Sequence, residues 1–269
     1  NRLIKTTETT TKGSLVETKT TSYSYDNAGN RFVKVDEEGN TTLYLRHGQI
    51  AVAMDVEINS DQSTERGKIN RYILSGDLVA GRVTLTIAAD GTASAPEKSY
   101  YHLDHLNSTK MVTDSSGAIV VNYIYRAFGE QLKRLDAANQ ETDDKAKYSY
   151  GGKELDDNTN LYYFNARYYD ATIGRFINVD PIQDGSNWYA YVGNDPINFI
   201  DPFGLDFAGE SDSTNEWTAS FLEISTSVLV TGNESGAGII QGSTLVHFDN
   251  ETEKKFFEAN FNFKVSKFG

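Results

Sequence analysis

The sequence predicts an all-β protein built from antiparallel hairpins. The chain has 269 residues, among them 16 Tyr, 14 Phe and 22 Gly but only 4 Pro. Aromatic residues favour strands, and glycine supplies the positive φ that tight turns require. Short turns that combine aspartate, glycine and asparagine also recur between runs of alternating apolar and polar residues. Recurring hairpins predict an array that buries its apolar face by stacking one unit on the next.

Three hairpin turns are predicted from this pattern, at residues 26–30, 36–40 and 114–117, with a weaker example in the stretch IAADGTAS. In each, the aspartate side chain can accept hydrogen bonds from the following backbone, and the glycine can adopt a positive φ. The aromatic stretch LYYFNARYYDATIGRFI largely alternates with period two and is predicted to be a strand. The polar segment RLDAANQETDDKAKYSYGGKEL predicts a loop or a short helix.

Composition excludes several classes of function. The formal net charge of −13 disfavours both a nucleic-acid partner and an anionic membrane surface. Cysteine is absent, so disulfides and thiolate metal sites are excluded. No window approaches the ~18 apolar residues of a membrane helix. Because the chain begins NRLIKTTETT, without Met or an apolar signal run, we expect it to be a fragment or a processed product of a longer chain.

Histidines give no metal-site pattern. The motif HLDH places His102 and His105 three residues apart, with Asp104 between them. On a strand, positions i and i+3 face opposite sides, so one ion does not easily bind both side chains. We therefore expect neither a metal nor another cofactor.

The composition changes after Leu205. The stretch DFAGESDSTNE is small, polar and acidic, as is typical of a linker. From Trp217 onward the chain contains three candidate strands and no tyrosine, whereas the preceding part is rich in tyrosine. We therefore expect two domains, residues 1–205 and a separate, small, β-rich C-terminal segment of residues 206–269.

Several long motifs resemble the RHS/YD-repeat family. The stretch YYHLDHLNSTKMVTDSSGAIVVNYIYRAFGE (residues 100–130) and residues 148–205, which end in NWYAYVGNDPINFIDPFGL, resemble the core of these proteins. The unit YSYDNAGN resembles the YD repeat itself. The resemblance covers most of residues 20–205 and does not extend to 206–269. It implies a spiralling antiparallel β-sheet that forms a hollow shell, similar to those of teneurins and Tc toxin C components.

The same resemblance implies a reaction. In this family the shell encloses a C-terminal segment, usually a toxin, and an aspartic-protease-like activity cuts the chain once, just past a DPxGL motif. Here the cut would fall between Leu205 and Asp206, and the two catalytic aspartates would be Asp180 and Asp201, each followed by proline. Two carboxylates held close together do not both ionise readily, so one can keep a proton while the other activates water.

Other residues near these aspartates bear on the site. Arg175 is close to Asp180 in sequence and is a candidate partner for a carboxylate, with a structural ion pair on a strand as the alternative. Asp195 stands in an Asp-Pro pair where the family has Asn-Pro, and we interpret it as a turn residue. Gln183 stands where the family has glycine, in a loop that shapes the active centre. This departure is expected to weaken the protease.

The resemblance also implies partners and a location. The expected partners are the C-terminal segment as cargo, a secretion-system or toxin-complex component, and an immunity protein. The expected location is outside a bacterial cell or at its surface, as part of a longer chain.

Two alternative functions stay open. The first is a structural or cell-surface YD-repeat protein that never cleaves. The second is that the C-terminal segment is itself an enzyme. Ser225, Thr226 and Ser227, with Glu251 and Glu253, resemble the Ser-Thr-Ser and Glu-x-Glu elements of ADP-ribosyltransferases. That family also requires an upstream arginine, and residues 206–269 contain none.

Overall fold

The protein is described by a computed structural model that covers residues 2–12, 15–47, 51–75, 78–183, 185–206 and 208–209. These residues belong to one compact unit. Over these ranges the regular structure is antiparallel β, with two single-turn 3₁₀ segments and no α-helix, so the all-β prediction is confirmed. No helix in the described ranges has the length and apolar character to span a membrane. Residues 210–269, and with them nearly all of the expected second domain, lie outside the description.

The strands are, in chain order, β1 (Lys5–Lys12), β2 (Leu15–Tyr25), β3 (Arg31–Val35), β4 (Thr41–His47), β5 (Ala51–Ile58), β6 (Glu65–Ser75), β7 (Leu78–Ala88), β8 (Glu97–Leu103), β9 (Thr109–Asp114), β10 (Ile119–Tyr125), β11 (Gln131–Leu135), β12 (Glu154–Asp156), β13 (Leu161–Phe164), β14 (Arg167–Asp170), β15 (Arg175–Phe176), β16 (Phe199–Ile200) and β17 (Ala208–Gly209). Strands β1 to β11 form one large sheet in which each strand pairs with the next along the chain. Strands β12 to β15 form a small sheet, and β16 pairs with β17. The 3₁₀ turns are Tyr150–Gly152 and Val192–Asn194.

The predicted hairpin turns join neighbouring strands of the large sheet. In the first, the Asp26 carboxylate accepts the amide hydrogen of Asn30 at 2.7 Å, and Gly29 has a φ of 91°. Asp36 and Asp114 cap their turns in the same way. The three turn predictions are therefore confirmed. Because each turn reverses the chain after a short strand, the strands pair in sequence order and the sheet is a meander.

Asparagine makes further turns of this kind that the sequence did not predict. Asn107 has a φ of 63°, in the position that glycine holds in the other turns, and Asp104 caps this turn by accepting the amide of Ser108 at 2.9 Å. Asparagine tolerates the left-handed conformation better than most residues. In the HLDH motif, Asp104 is thus a turn residue, and His102 lies 3.0 Å from the Thr113 hydroxyl. The described residues contain no cluster suited to a metal ion.

The aromatic stretch from residue 161 is a hairpin followed by a short strand. Strands β13 and β14 pair with Tyr163 opposite Tyr168, and the chain reverses at Asn165, whose φ is 61°. The prediction of a single strand was wrong, because a period-two pattern can continue through a tight turn. The polar segment before it, residues 134–155, runs from the end of β11 to the start of β12 as a loop with one 3₁₀ turn, within the two possibilities that the sequence predicted.

Aromatic side chains form the core of the small sheet. The rings of Tyr169 on β14 and Tyr191 lie 4.5 Å apart between centroids. Tyr191 directly precedes the second 3₁₀ turn, so this contact holds the segment between Asp180 and Asp201 against β14. The buried cluster consists of Tyr150, Tyr162, Phe164, Tyr169, Ala171, Phe176, Tyr191 and Val192.

A buried ion pair joins the small sheet to the large sheet. Arg31 on β3 and Glu154 on β12 are 2.6 Å apart, and their side chains are only 1% and 5% exposed. Tyr44 donates its hydroxyl hydrogen to the other oxygen of Glu154 at 2.7 Å. The Arg31 guanidinium also lies 4.4 Å from the centroid of the Tyr163 ring. Burial acts to raise the pKa of Glu154, but the positive charge of Arg31 and nearby lysines holds it below its ordinary value.

We expect Glu154→Gln to lower the free energy of unfolding by about 3–5 kcal/mol, because Arg31 would stay buried without its counter-charge. Urea titration at neutral pH measures this difference. A matched control is Lys145→Met, which removes the surface pair of Lys145 and Asp157, whose side chains are 50% and 54% exposed, and should change stability little. Because the folded-state pKa of Glu154 is depressed, its contribution is lost as pH falls through that pKa. An effect no larger than that of the control would contradict the assigned role.

Candidate active site

Both predicted catalytic aspartates contact one arginine, Arg167, at the start of β14. Nη1 of Arg167 lies 3.3 Å from Oδ2 of Asp180, and Nη2 lies 3.2 Å from Oδ2 of Asp201. All three side chains are buried. Burial lowers the pKa of Arg167, and the two carboxylates oppose that effect. The structure therefore brings Asp180 and Asp201 onto one guanidinium.

The same guanidinium reaches the predicted cleavage point. Nε of Arg167 donates to the carbonyl oxygen of Gly204 at 2.6 Å, and Nη2 donates to that of Leu205 at 3.3 Å. The Leu205 carbonyl belongs to the peptide bond between Leu205 and Asp206. A fixed cation beside this oxygen can stabilise the negative charge that develops there when a nucleophile attacks.

Asp201 folds the DPFGL motif around its own carboxylate. Oδ1 of Asp201 accepts the amide hydrogens of Phe203, Gly204 and Leu205 at 3.2, 2.7 and 3.0 Å. Burial raises the pKa of Asp201 above its ordinary value, while these amides and Arg167 offset part of the rise. A carboxyl group with a raised pKa keeps its proton at higher pH and is suited to act as an acid.

Asp180 sits at the head of a strained turn. Its Oδ1 accepts the amide hydrogen of Ile182 at 3.0 Å, and its backbone carbonyl accepts that of Gln183 at 3.2 Å. Gln183 has a φ of 54°, in the left-handed region that glycine enters freely and other residues enter at a cost. Glutamine in place of the family's glycine at position 183 therefore has a conformational cost in the turn that Asp180 begins.

Arg175 has different partners from those the sequence suggested. Its Nη2 lies 3.2 Å from Oδ1 of Asn187, and its guanidinium lies 5.8 Å from the centroid of the Tyr189 ring, at the surface. The structure places Arg167, rather than Arg175, on the Asp180 carboxylate. A signal for Arg167 was present in the sequence, because a charged residue within an aromatic strand needs a buried partner.

The remaining site predictions fall into two groups. Asp195 is a turn residue as expected, because its carboxylate accepts the side-chain amide of Asn198 at 3.0 and 2.9 Å. The tail residues with a possible enzymatic pattern lie outside the described residues. They are Ser225, Thr226, Ser227, Glu251 and Glu253.

Two contacts fix the DPFGL turn from outside. A Cβ on Gly204 would lie 2.4 Å from the carbonyl oxygen of Phe164, so no larger residue fits there without movement of the β13–β14 turn. Lys153 donates to the carbonyl oxygen of Pro202 at 2.5 Å. These contacts leave little freedom in the path of the chain that leads to Leu205.

A cavity of about 360 Å³ borders this turn. Asp201, Pro202 and Phe203 line one side of it, and apolar residues of the large sheet, among them Val52 and Val79, line another. A space of this size next to a carboxylate is large enough to hold several water molecules. The cavity reaches Asp201, but neither Asp180 nor Leu205 is among the residues that line it.

We expect Gly204→Ala to destabilise the protein more than Gly185→Ala. Both glycines have a left-handed φ, 69° and 67°, but an added Cβ meets nothing within 4 Å at Gly185. The control therefore bears only the conformational cost of about 1–2 kcal/mol. Gly204→Ala adds the clash with Phe164. Equal losses of unfolding free energy in urea titrations would show that the close packing at Gly204 is not a constraint.

Comparisons with known proteins agree with the fold and the motifs. Comparison with models of protein families gives no match. The chain is 33% identical over 189 residues to the tRNA3(Ser)-specific nuclease WapA of Bacillus spizizenii. The matched region covers 68% of this chain and 7% of that protein. It is 28% identical over 202 residues to double-stranded DNA deaminase toxin A of Burkholderia cenocepacia, covering 69% of this chain and 14% of that protein.

A solved structure matches at the level of the fold. The crystal structure of TcdB2-TccC3-TEV superimposes with a TM-score of 0.61 at 24% identity, covering 76% of this chain and 10% of that one. The chain therefore shares its antiparallel β-sheet fold with a part of that structure. The chain belongs to the RHS/YD-repeat family, as its motifs predicted. The chain spans 7% of the length of the WapA protein of Bacillus spizizenii.

Proposed function

We propose that this region closes a toxin shell and cuts its own chain once, between Leu205 and Asp206. The observation that supports this most is the position of Arg167. One guanidinium contacts the carboxylates of Asp180 and Asp201 and the carbonyl oxygen of Leu205. Two carboxyl groups that share one cation, with that cation also on the carbonyl oxygen of the bond, are components that hydrolysis of a peptide bond can use.

The geometry suggests a role for each group. Asp180 acts as the base and takes a proton from water as the water oxygen attacks the Leu205 carbonyl carbon. Arg167 stabilises the resulting oxyanion through Nη2. Asp201, whose pKa is raised by burial, acts as the acid and protonates the nitrogen of Asp206, which leaves as a free amine. The products are a carboxylate at Leu205 and a new amino terminus at Asp206, so each chain reacts once.

The cut would free the segment that begins at Asp206 from the shell. In this proposal residues 206–269 are the start of the cargo, and the shell is exported by a bacterium as part of a toxin complex. The relatives support this, because they are named as toxins or nucleases and the matching structure is of a toxin complex. An immunity protein that protects the producing cell belongs to the same proposal.

A non-cleaving shell is the second candidate, and two observations favour it. Gln183 is in a strained conformation beside Asp180. Oδ1 of Asp201 accepts three backbone amides, which is also what a purely structural turn residue does. In that case Arg167 and its two carboxylates would only hold the end of the shell together.

We expect Asp180→Asn and Asp201→Asn each to fold and to leave the bond after Leu205 intact. Asparagine keeps the size and the turn hydrogen bonds but cannot take or give the proton. Intact-mass measurement of the purified full chain reports the cut, and circular dichroism checks the fold. The matched control is Asp195→Asn, in an Asp-Pro pair whose carboxylate contacts only turn groups among its described hydrogen bonds, and it should cleave as the unmodified chain does. Cleavage in either of the first two variants would remove that aspartate from the mechanism.

The rate of cleavage should fall as pH rises through the raised pKa of Asp201. Only the protonated form of Asp201 can donate to the departing nitrogen, and a raised pKa extends that form to higher pH. A time course of fragment formation at a series of pH values measures this profile. The Asp195→Asn variant should give the same profile. A rate that keeps increasing into alkaline buffer would contradict the assignment of Asp201 as the acid.

A further inference from the structure

We propose that the site holds the segment after the cut as an added β-strand and recognises its backbone rather than its side chains. This inference rests on the proposed cleavage between Leu205 and Asp206. It concerns residues on the far side of that bond, which the catalytic mechanism does not use.

The pairing of β16 with β17 supports this inference. Strand β16 (Phe199–Ile200) ends immediately before Asp201, and β17 (Ala208–Gly209) begins two residues after Asp206. The two strands are antiparallel, with Ile200 opposite Ala208. The bond between Leu205 and Asp206 therefore lies in the loop that this pair closes.

The two sides of the bond are held by different kinds of contact. On the N-terminal side, side chains hydrogen-bond to the backbone of Leu205. The Asp201 carboxylate accepts the amide hydrogen of Leu205, and Arg167 donates to the carbonyl oxygen of Leu205. On the C-terminal side, the described pairing of Ala208 and Gly209 is between main chains. Proteins that bind a peptide by adding it to a sheet edge derive affinity from main-chain hydrogen bonds and selectivity from side-chain pockets.

The identities of the two paired residues argue against a side-chain pocket. Alanine has only a methyl group, and glycine has no side chain. A main-chain clamp of this kind accepts almost any residue except proline, which has no amide hydrogen to donate. The same site could then release segments of unrelated sequence. The two curated relatives carry different activities in their names, a tRNA nuclease and a DNA deaminase, which is compatible with such tolerance.

The test is proline substitution in the full chain, with Ala208→Pro and Gly209→Pro made separately. In an antiparallel pair only alternate residues donate across the ladder. At least one proline variant should therefore cleave about tenfold more slowly, the effect of losing one net hydrogen bond. The matched controls Ala208→Ser and Gly209→Ala keep the amide hydrogen and should cleave near the unmodified rate.

A second readout does not depend on cleavage. In the Asp180→Asn background, amide hydrogen exchange of Ile200 reports the pairing, because the Phe199 amide already donates to the carbonyl oxygen of Asp195. Protection should be lost in the proline variant that slows cleavage and kept in the controls. Exchange across β6 checks that the rest of the fold is intact. Should a proline variant fail that check, an ester in place of the amide at residue 208 or 209, made by semisynthesis, removes the donor without adding a ring.

The outcomes separate this inference from the proposed function. Unmodified cleavage rates and unchanged protection in both proline variants would overturn the inference that main-chain pairing holds the segment after the cut. Controls that slow cleavage as much as proline would also overturn it, because the site would then be recognising side chains. If the unmodified chain does not cleave at all, the proposed function fails, and the exchange measurement alone decides whether the strand is held.

Discussion

The packing of the DPFGL turn depends on one buried arginine. Arg167 is 3% exposed, its guanidinium lies 3.7 Å from the centroid of the Phe176 ring, and each of its three nitrogens has an acceptor within 3.3 Å. A buried charge is tolerated only when it is paired and hydrogen-bonded. That requirement draws β14, the turn at Asp180 and the turn at Asp201 to one point. Without the arginine, the buried carboxylates of Asp180 and Asp201 would lose the cation that both of them contact.

The position of Arg167 depends in turn on the large sheet. Strand β14 pairs with β13, and Tyr163 on β13 contacts Arg31 of the large sheet through its ring. Arg31 is held by Glu154 on β12 of the same small sheet. The two ion pairs therefore form a chain of constraints from the large sheet through the small sheet to Leu205. Loosening of the first pair should reduce the precision of the second as well as the stability of the fold.

The sequence predicted those features that depend on neighbouring residues. The turns at Asp26, Asp36 and Asp114 follow from hydrogen bonds that span four residues or fewer. The family motif pointed to Asp180 and Asp201. The arginine that joins them could not be found in this way, because its contact with Asp201 spans 34 positions in the chain. Proximity in sequence suggested Arg175 instead.

Two other features that the sequence did not predict have local causes. Asn107 and Asn165 adopt the positive φ that was expected only of glycine, so the turn at Asn107 was not predicted and the turn at Asn165 was predicted to be a strand. The opposite case is Gln183, where a residue without the freedom of glycine takes the same conformation next to Asp180. Its conformation could not be predicted, because it is imposed by the contacts of the surrounding turn rather than by the preference of glutamine. Gln183 is therefore the residue near Asp180 whose backbone conformation departs most from what its residue type favours.

The most direct test of the central claim is to incubate the unmodified full chain in water enriched in ¹⁸O and to measure the masses of the products. Hydrolysis by the Asp180–Asp201 pair predicts one fragment that ends at Leu205 and carries ¹⁸O in its new carboxylate. It also predicts a second fragment that begins at Asp206 and carries none. A single intact species, or a cut at a different bond, would contradict the account.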